Sequence, residues 1–227
     1  MRWLRLAVAA LSTALLAASP ALADGGAHVI DGSGVETPGT CHLESWVTLS
    51  SGDGRLINSA PACTRKAWPN LELGGFVTHG WSPESHDTLV GLSPKIELRS
   101  ATRGLGLGIA TSAAYQVDRG HFHEVSLIVP VTIPVDRQVT LNLNSGWQWS
   151  RAGHRADLFV GGQMMVALKP SLSLMAETFT RDRGKAGGQT GVRWTTGKGR
   201  IDIDLLVGRY VDGTTPIAIT FGVTLRR

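Results

Sequence analysis

Gln138-Val139-Thr140-Leu141-Asn142-Leu143-Asn144-Ser145-Gly146-Trp147-Gln148-Trp149 decides the fold class. Val139, Leu141, Leu143, Trp147 and Trp149 take odd positions, and Gln138, Thr140, Asn142, Asn144 and Gln148 take even ones. Successive side chains of a strand point to opposite faces, so this spacing gives one apolar face and one polar, uncharged face. A helix of the same sequence would scatter both sets around its circumference. Outward from this stretch the device recurs. Leu105, Leu107, Ile109, Thr111, Ala113, Tyr115 and Val117 alternate with Gly104, Gly106, Gly108, Ala110, Ser112 and Gln116, and Ile217, Ile219, Phe221, Val223 and Leu225 repeat it near the C-terminus.

Turn chemistry separates the segments: Asp118-Arg119-Gly120, Pro134-Val135-Asp136, Arg151-Ala152-Gly153, Lys169-Pro170, Gly197-Lys198-Gly199 and Asp212-Gly213. Between them, strands are predicted near 70–81, 87–99, 103–117, 121–133, 137–149, 155–168, 171–180, 188–196, 200–210 and 215–226. Pro130 lacks a donor and calls for a bulge or break in its strand. Cys41 and Cys63 are placed symmetrically about Gly52 in Ser51-Gly52-Asp53-Gly54, so a first hairpin of 41–50 with 55–63 sets them opposite each other. The count becomes twelve, an even number as a single-chain bacterial outer-membrane barrel requires. With both termini periplasmic, the connections after odd strands are extracellular and, the first periplasmic link aside, the longer set.

Met1 to Ala23 carries Arg2 and Arg5, an apolar stretch from Leu6 to Leu16, and Ala21-Leu22-Ala23 before Asp24, the three parts of a cleavable secretory signal. The expected organisation is a signal peptide over 1–23, a flexible segment over 24–40 and a barrel over 41–227. In the oxidising compartment beyond the inner membrane, the two cysteines are expected to pair. Without Arg2 and Arg5, 20 of the 22 Lys+Arg face 18 Asp+Glu, a net charge of +2. That balance does not suit a nucleic-acid binder. With 42% apolar residues and two cysteines, disorder and a disulfide scaffold are also excluded.

Period two does not say whether the apolar face points inward, as in a soluble lipocalin-like barrel, or outward. Three features favour outward. The strands are long enough for a tilted crossing of the hydrocarbon layer. The polar face is rich in Gly, Ser, Thr, Asn and Gln, where a soluble barrel would present Lys and Glu. Trp68, Trp81, Tyr115, Phe122, Trp147, Trp149, Trp194 and Tyr210 fall near strand ends, as interfacial girdles do.

Pro38-Gly39-Thr40-Cys41-His42-Leu43-Glu44-Ser45-Trp46, Asn70-Leu71-Glu72-Leu73, Lys95-Ile96-Glu97-Leu98-Arg99, Leu141-Asn142-Leu143-Asn144-Ser145-Gly146-Trp147, Leu172-Ser173-Leu174-Met175-Ala176-Glu177, Gly191-Val192-Arg193-Trp194 and Ile201-Asp202-Ile203-Asp204 together resemble bacterial outer-membrane proteins grouped as a phenol-degradation meta-pathway or transporter family. The likeness runs from Pro38 to the C-terminus. It implies a Gram-negative outer-membrane barrel, exported by the general secretory pathway and inserted by the barrel-assembly machinery, that passes small solutes, aromatic compounds among them. The ending Thr224-Leu225-Arg226-Arg227 departs from the terminal aromatic usual in such barrels, with Phe221 the nearest substitute.

With the apolar face toward lipid, parity directs Glu44, Glu72, Glu97, Glu124, Asp157, Glu177, Asp202 and Asp204 into the lumen with Lys95, Arg99, Arg155 and Arg193. Eight acids against four bases suit a pore that disfavours anions. Alternatively the long side chains pair across a limited bore and close it, leaving a structural or adhesive barrel. Neither cofactor nor catalytic residue is expected. His121 and His123 lack a third metal ligand, Gly104-Leu105-Gly106-Leu107-Gly108 is followed by no phosphate-loop helix, and Ser150, His154 and Asn144 match no hydrolase motif. The glycine run is expected to make room inside the barrel.

Overall fold

In the computed structural model, residues 27–83, 85–151, 154–182, 185–211 and 215–227 are described, and the predicted signal over 1–23 lies outside them. Thirteen strands occur among the described residues: β1 Cys41–Ser50, β2 Arg55–Thr64, β3 Leu71–Ser82, β4 Ser85–Leu92, β5 Lys95–Arg99, β6 Gly106–Gln116, β7 His121–Pro134, β8 Val139–Ser150, β9 Arg155–Lys169, β10 Leu172–Arg181, β11 Gly187–Thr196, β12 Ile201–Arg209 and β13 Ala218–Arg226. β4 and β5 lie end to end between β3 and β6, so the wall has twelve staves. Each pairs antiparallel with its neighbours. β1 pairs with both β2 and β13, and β2 with β3, which closes the ring and leaves no sheet edge.

The register puts Cys41 opposite Cys63, where they form the expected disulfide at the open end of the first hairpin. By loop closure alone such a bond contributes about 3 kcal/mol. Both termini of the barrel are at one rim, called here the terminal rim.

The alternation on β8 is as the sequence predicts: Leu143 is 47% and Trp147 57% exposed on the outer wall, while Asn142 and Asn144 are buried on the inner one. Leu43, Val47, Ile57, Leu73, Val77, Leu127, Leu174, Leu205 and Phe221 extend the exposed apolar surface around the barrel. A continuous apolar band of this kind suits hydrocarbon rather than water.

Four details differ from expectation. The stave predicted over 87–99 breaks at Ser93-Pro94, where Ser93 N–H bonds Gly74 O and Pro94 O accepts from Thr111. The strand predicted from 103 begins at Gly106, after a 3-10 turn over Ala101–Arg103 whose N-cap is Ser100. Pro130 causes neither bulge nor break. β7 pairs with β8 straight through it, and only the two rungs facing β6 beside it are missing, between Leu107↔Val131 and Ala110↔Ile128. The link between β3 and β4 is only two residues long, because Ser82 already pairs with Ser85, so connection length does not separate the rims cleanly.

Candidate functional site

A chain segment without secondary structure has peptide N–H and C=O groups that must be satisfied if it is buried. Ala27 to Glu36 is such a segment, and it lies inside the barrel with its peptide groups held by wall side chains. Val29 N–H donates to Glu177 Oε1 at 2.9 Å and Ile30 N–H to Glu177 Oε2 at 3.3 Å. Asp31 N–H donates to Asn144 Oδ1 at 2.9 Å, and Asn144 Nδ2 donates back to Asp31 O at 2.7 Å. Ser33 N–H reaches Thr132 Oγ1 at 2.8 Å, Glu36 N–H reaches Glu72 Oε2 at 2.9 Å, and Gln189 Nε2 donates to Ala27 O at 3.0 Å. The described part of the segment expected to be flexible over 24–40 is therefore fixed by contacts to several staves.

Apolar contacts reinforce the polar ones. Ile30 is fully buried among Ile128, Phe159 and Phe179, with Val29 and Val211 packed alongside. Ala27 packs on Met175 and Leu206. The glycines make room for this segment. A Cβ at Gly106 would stand 2.3 Å from Ser33 Oγ, one at Gly108 2.7 Å from Ser33 O, and one at Gly161 2.3 Å from Ile30 Cδ1.

Ionic contacts tie the segment down at three points. Lys95 Nζ meets Asp31 Oδ1 at 2.8 Å. Arg226 Nε holds Glu36 Oε1 at 2.6 Å while its Nη1 holds Asp202 Oδ2 at 2.8 Å. The His28 ring lies 3.7 Å from Glu177 and 3.8 Å from Asp204. Asp204 also receives a two-pronged bond from Arg193 at 2.7 and 2.8 Å, and Asp202 accepts from Thr195 Oγ1 at 2.7 Å. At the terminal rim the His42 ring is flanked by Glu36, Glu44 and Glu72 at 3.6 to 3.9 Å. Burial alone would lower the pKa of His28, which lies on the segment and not on a strand. The flanking Asp204 and Glu177 carboxylates outweigh burial and bring it up to about 9.

Of the residues that parity directed inward, Glu44, Glu72, Lys95, Glu177, Arg193, Asp202 and Asp204 are buried on the inner face. Glu97, Glu124 and Asp157 are partly buried and stand opposite Gly108, Ala114 and Gln148. Arg99 departs from expectation. The β5–β6 register shifts between Glu97 and Arg99, so the extra residue turns Arg99 opposite the outward Leu107, and its exposed guanidinium bonds Arg103 O. The side chain of Arg155 lies outside those described.

Sequence reasoning missed Arg226, His28, His42, Gln163 and Gln189, and it put Asn144 on the polar face without assigning it a partner; these residues complete the network. Asn144, Gln163 and Gln189 share the inward parity of their strands, and that signal was present. His28 belongs to a segment with no period to read. Phe159 sits in the apolar run Leu158-Phe159-Val160, which hides its inward direction.

Three solved structures share this architecture. They are the KdgM porin in complex with disordered oligogalacturonate (9% identity, 81% of this chain and 98% of that one, TM-score 0.64), the NanC porin (7%, 81% and 98%, 0.59) and the COG4313 outer membrane channel from Pseudomonas putida F1 (10%, 85% and 97%, 0.54). At these identities the likeness is one of fold, a porin-type barrel. No curated protein matches the chain. A family profile does match, over residues 12–227: the chain belongs to the family described as uncharacterised conserved protein UCP029691.

Proposed function

We propose that this protein is an outer-membrane β-barrel that acts as a passive pore for small solutes, with its own N-terminal segment as an internal gate. The observation that carries this is how Ala27 to Glu36 is held. It belongs to no strand, and its peptide N–H groups are bound by side chains of β3, β7, β8 and β10. Its withdrawal would leave every rung of the wall intact. The exposed apolar band supports contact with outer-membrane lipid, and export through the secretory pathway with insertion by the barrel-assembly machinery follows from that location.

With the segment withdrawn, the eight carboxylates that parity directs inward would face Lys95, Arg193, Arg226 and Arg181, whose guanidinium lies over the Phe159 and Phe179 rings, so the open lumen favours cations and neutral solutes over anions. In this the lumen differs from a path suited to an anionic oligosaccharide such as the oligogalacturonate of the KdgM complex. Neutral aromatic compounds, which the phenol-pathway resemblance implies, are compatible with it. The network is occupied in binding a peptide, which favours a channel over an enzyme.

A closed structural barrel is the alternative, favoured by the filling of the lumen around Ile30. Planar-bilayer recording of the full chain and of a chain lacking residues 27–36 separates the two. A gated pore gives rare openings for the former and steady, cation-preferring conductance for the latter. Absence of conductance in both would establish the closed barrel.

A further inference from the structure

The two rims differ in charge. Arg65, Lys66, Arg137, Lys169, Lys198 and Arg200 are exposed on the terminal rim, and among the described residues none of them forms an ion pair. Asp136 is the acid in these turns, and its carboxylate is already engaged by Gln138 N–H and Val139 N–H. The links at the opposite rim carry acids and bases in near-equal number. Trp68 and Trp194 are exposed at the terminal rim, and the Arg65 guanidinium lies 6.0 Å from the Trp68 ring centroid. Exposed tryptophans of a membrane barrel mark the headgroup level.

At that level the outer wall has a groove of about 390 Å³. Its lining combines Arg65 and Lys66 with the Cys41–Cys63 disulfide and Leu73. Leu73 is about half exposed on the outer face and stands opposite Cys63 in the register. Two cations stand above an apolar floor that runs down toward the hydrocarbon layer. Charge complementarity selects an anionic amphiphile, and the apolar floor selects one with a hydrocarbon chain.

We propose that this groove binds an anionic phospholipid of the leaflet at the terminal rim, its headgroup phosphate between Arg65 and Lys66 and one acyl chain along the disulfide and Leu73. The proposal rests on the outer-membrane reading. Lys66 is positioned by the turn itself: its aliphatic stem lies so close to Gly39 that a Cβ there would stand 2.8 Å from Lys66 Cε. The disulfide joins the strands on either side of the groove and so fixes its floor.

The test uses the full-length mature protein inserted into phosphatidylcholine vesicles containing a minor fraction of phosphatidylglycerol, with lipid retained after gentle extraction counted by native mass spectrometry. Heat-modifiable gel mobility first establishes insertion, and failure to insert would overturn the outer-membrane reading itself. For inserted protein, phosphatidylglycerol is retained in preference to phosphatidylcholine. The R65Q/K66Q double variant should lose this preference roughly thirtyfold, since the two cations at the headgroup phosphate, at about 1 kcal/mol each, are both removed. The R137Q/K169Q variant on the same rim should keep it. Equal loss in the two double variants, or no preference in the unmodified protein, would overturn the groove as a lipid site.

Discussion

Replacing Glu177 by alanine should open the lumen without disturbing the wall. The Glu177 carboxylate accepts Val29 N–H at 2.9 Å and Ile30 N–H at 3.3 Å, and it also accepts the Gln189 amide at 2.7 Å and the Gln163 amide at 3.1 Å. The two amides belong to the wall and can be solvated once the segment leaves. The two peptide donors are orphaned only while it stays docked, and each buried orphan costs about 1–3 kcal/mol. Allowing for water in the vacated space, the docked state weakens by roughly 2–4 kcal/mol, which multiplies the open population by roughly one and a half to three orders of magnitude. Glu177→Gln should act in the same direction but less, because a carboxamide keeps one acceptor oxygen. Single-channel recording in planar bilayers reads this as open probability. If Glu177→Ala stays as closed as the unmodified chain while the chain lacking 27–36 conducts, the carboxylate does not hold the segment and the hydrogen-bond argument is wrong.

The remaining expectations concern the wall and the gate. Leu143→Arg places a charge on the outer face near the middle of β8 and should cost roughly 2–4 kcal/mol of folding stability in vesicles. Leu143 is 47% exposed, so the same change would be nearly neutral if water surrounded the barrel, and chemical unfolding in lipid decides between the two. His28 is held near pKa 9 when docked, above the ordinary value of 6.5. Its attraction to Glu177 and Asp204, opposed by Arg193, is complete below about pH 6.5 and fades as pH rises through 9. Open probability should therefore rise between about pH 6.5 and about pH 9, level off above that, and be unaffected over this range in His28→Gln.

How far the sequence could be read follows from where the information lies. The odd-even alternation of Val139 to Trp149 is a property of the backbone alone, because a strand has no other way to dispose its side chains, and the structure keeps it residue for residue. The symmetry of Cys41 and Cys63 about Gly52 is likewise local to one hairpin. Arg99 was misread because a bulge changes parity after a single residue and leaves no mark in Lys95-Ile96-Glu97-Leu98-Arg99. The segment from Ala27 to Glu36 was illegible for a deeper reason: it binds chiefly through peptide groups, which every residue has. An arginine at Asn142 would break a fully buried contact with Thr132 and Gln163, which parity alone does not reveal.

The surplus of inward carboxylates takes on a different meaning once the segment is placed. Counted from the sequence, eight acids against four bases suited a pore that disfavours anions. In the structure Glu177 is solvated by two peptide N–H groups with the Gln163 and Gln189 amides, and Glu72 by the Glu36 N–H with the Thr64 hydroxyl, while Asp31 and Glu36 of the segment use Lys95 and Arg226 in return. A wall that holds a peptide needs acceptors, and a carboxylate offers two acceptor oxygens and no donor where Asn or Gln offers one acceptor oxygen beside a donor. The same acceptors are indifferent to the source of the donor. A hydroxyl or amino group on a passing solute, or a water molecule, can take the place of Val29 N–H at Glu177 with little net change in hydrogen bonding, so release is opposed by the ion pairs of Asp31, Glu36 and His28 and by the apolar seat of Ile30 among Ile128, Phe159 and Phe179. Fully burying an isoleucine contributes about 1.5–3 kcal/mol. None of these contacts is covalent or part of the wall's own ladder, so the segment can leave without breaking the barrel, as a gate requires and a permanent plug does not.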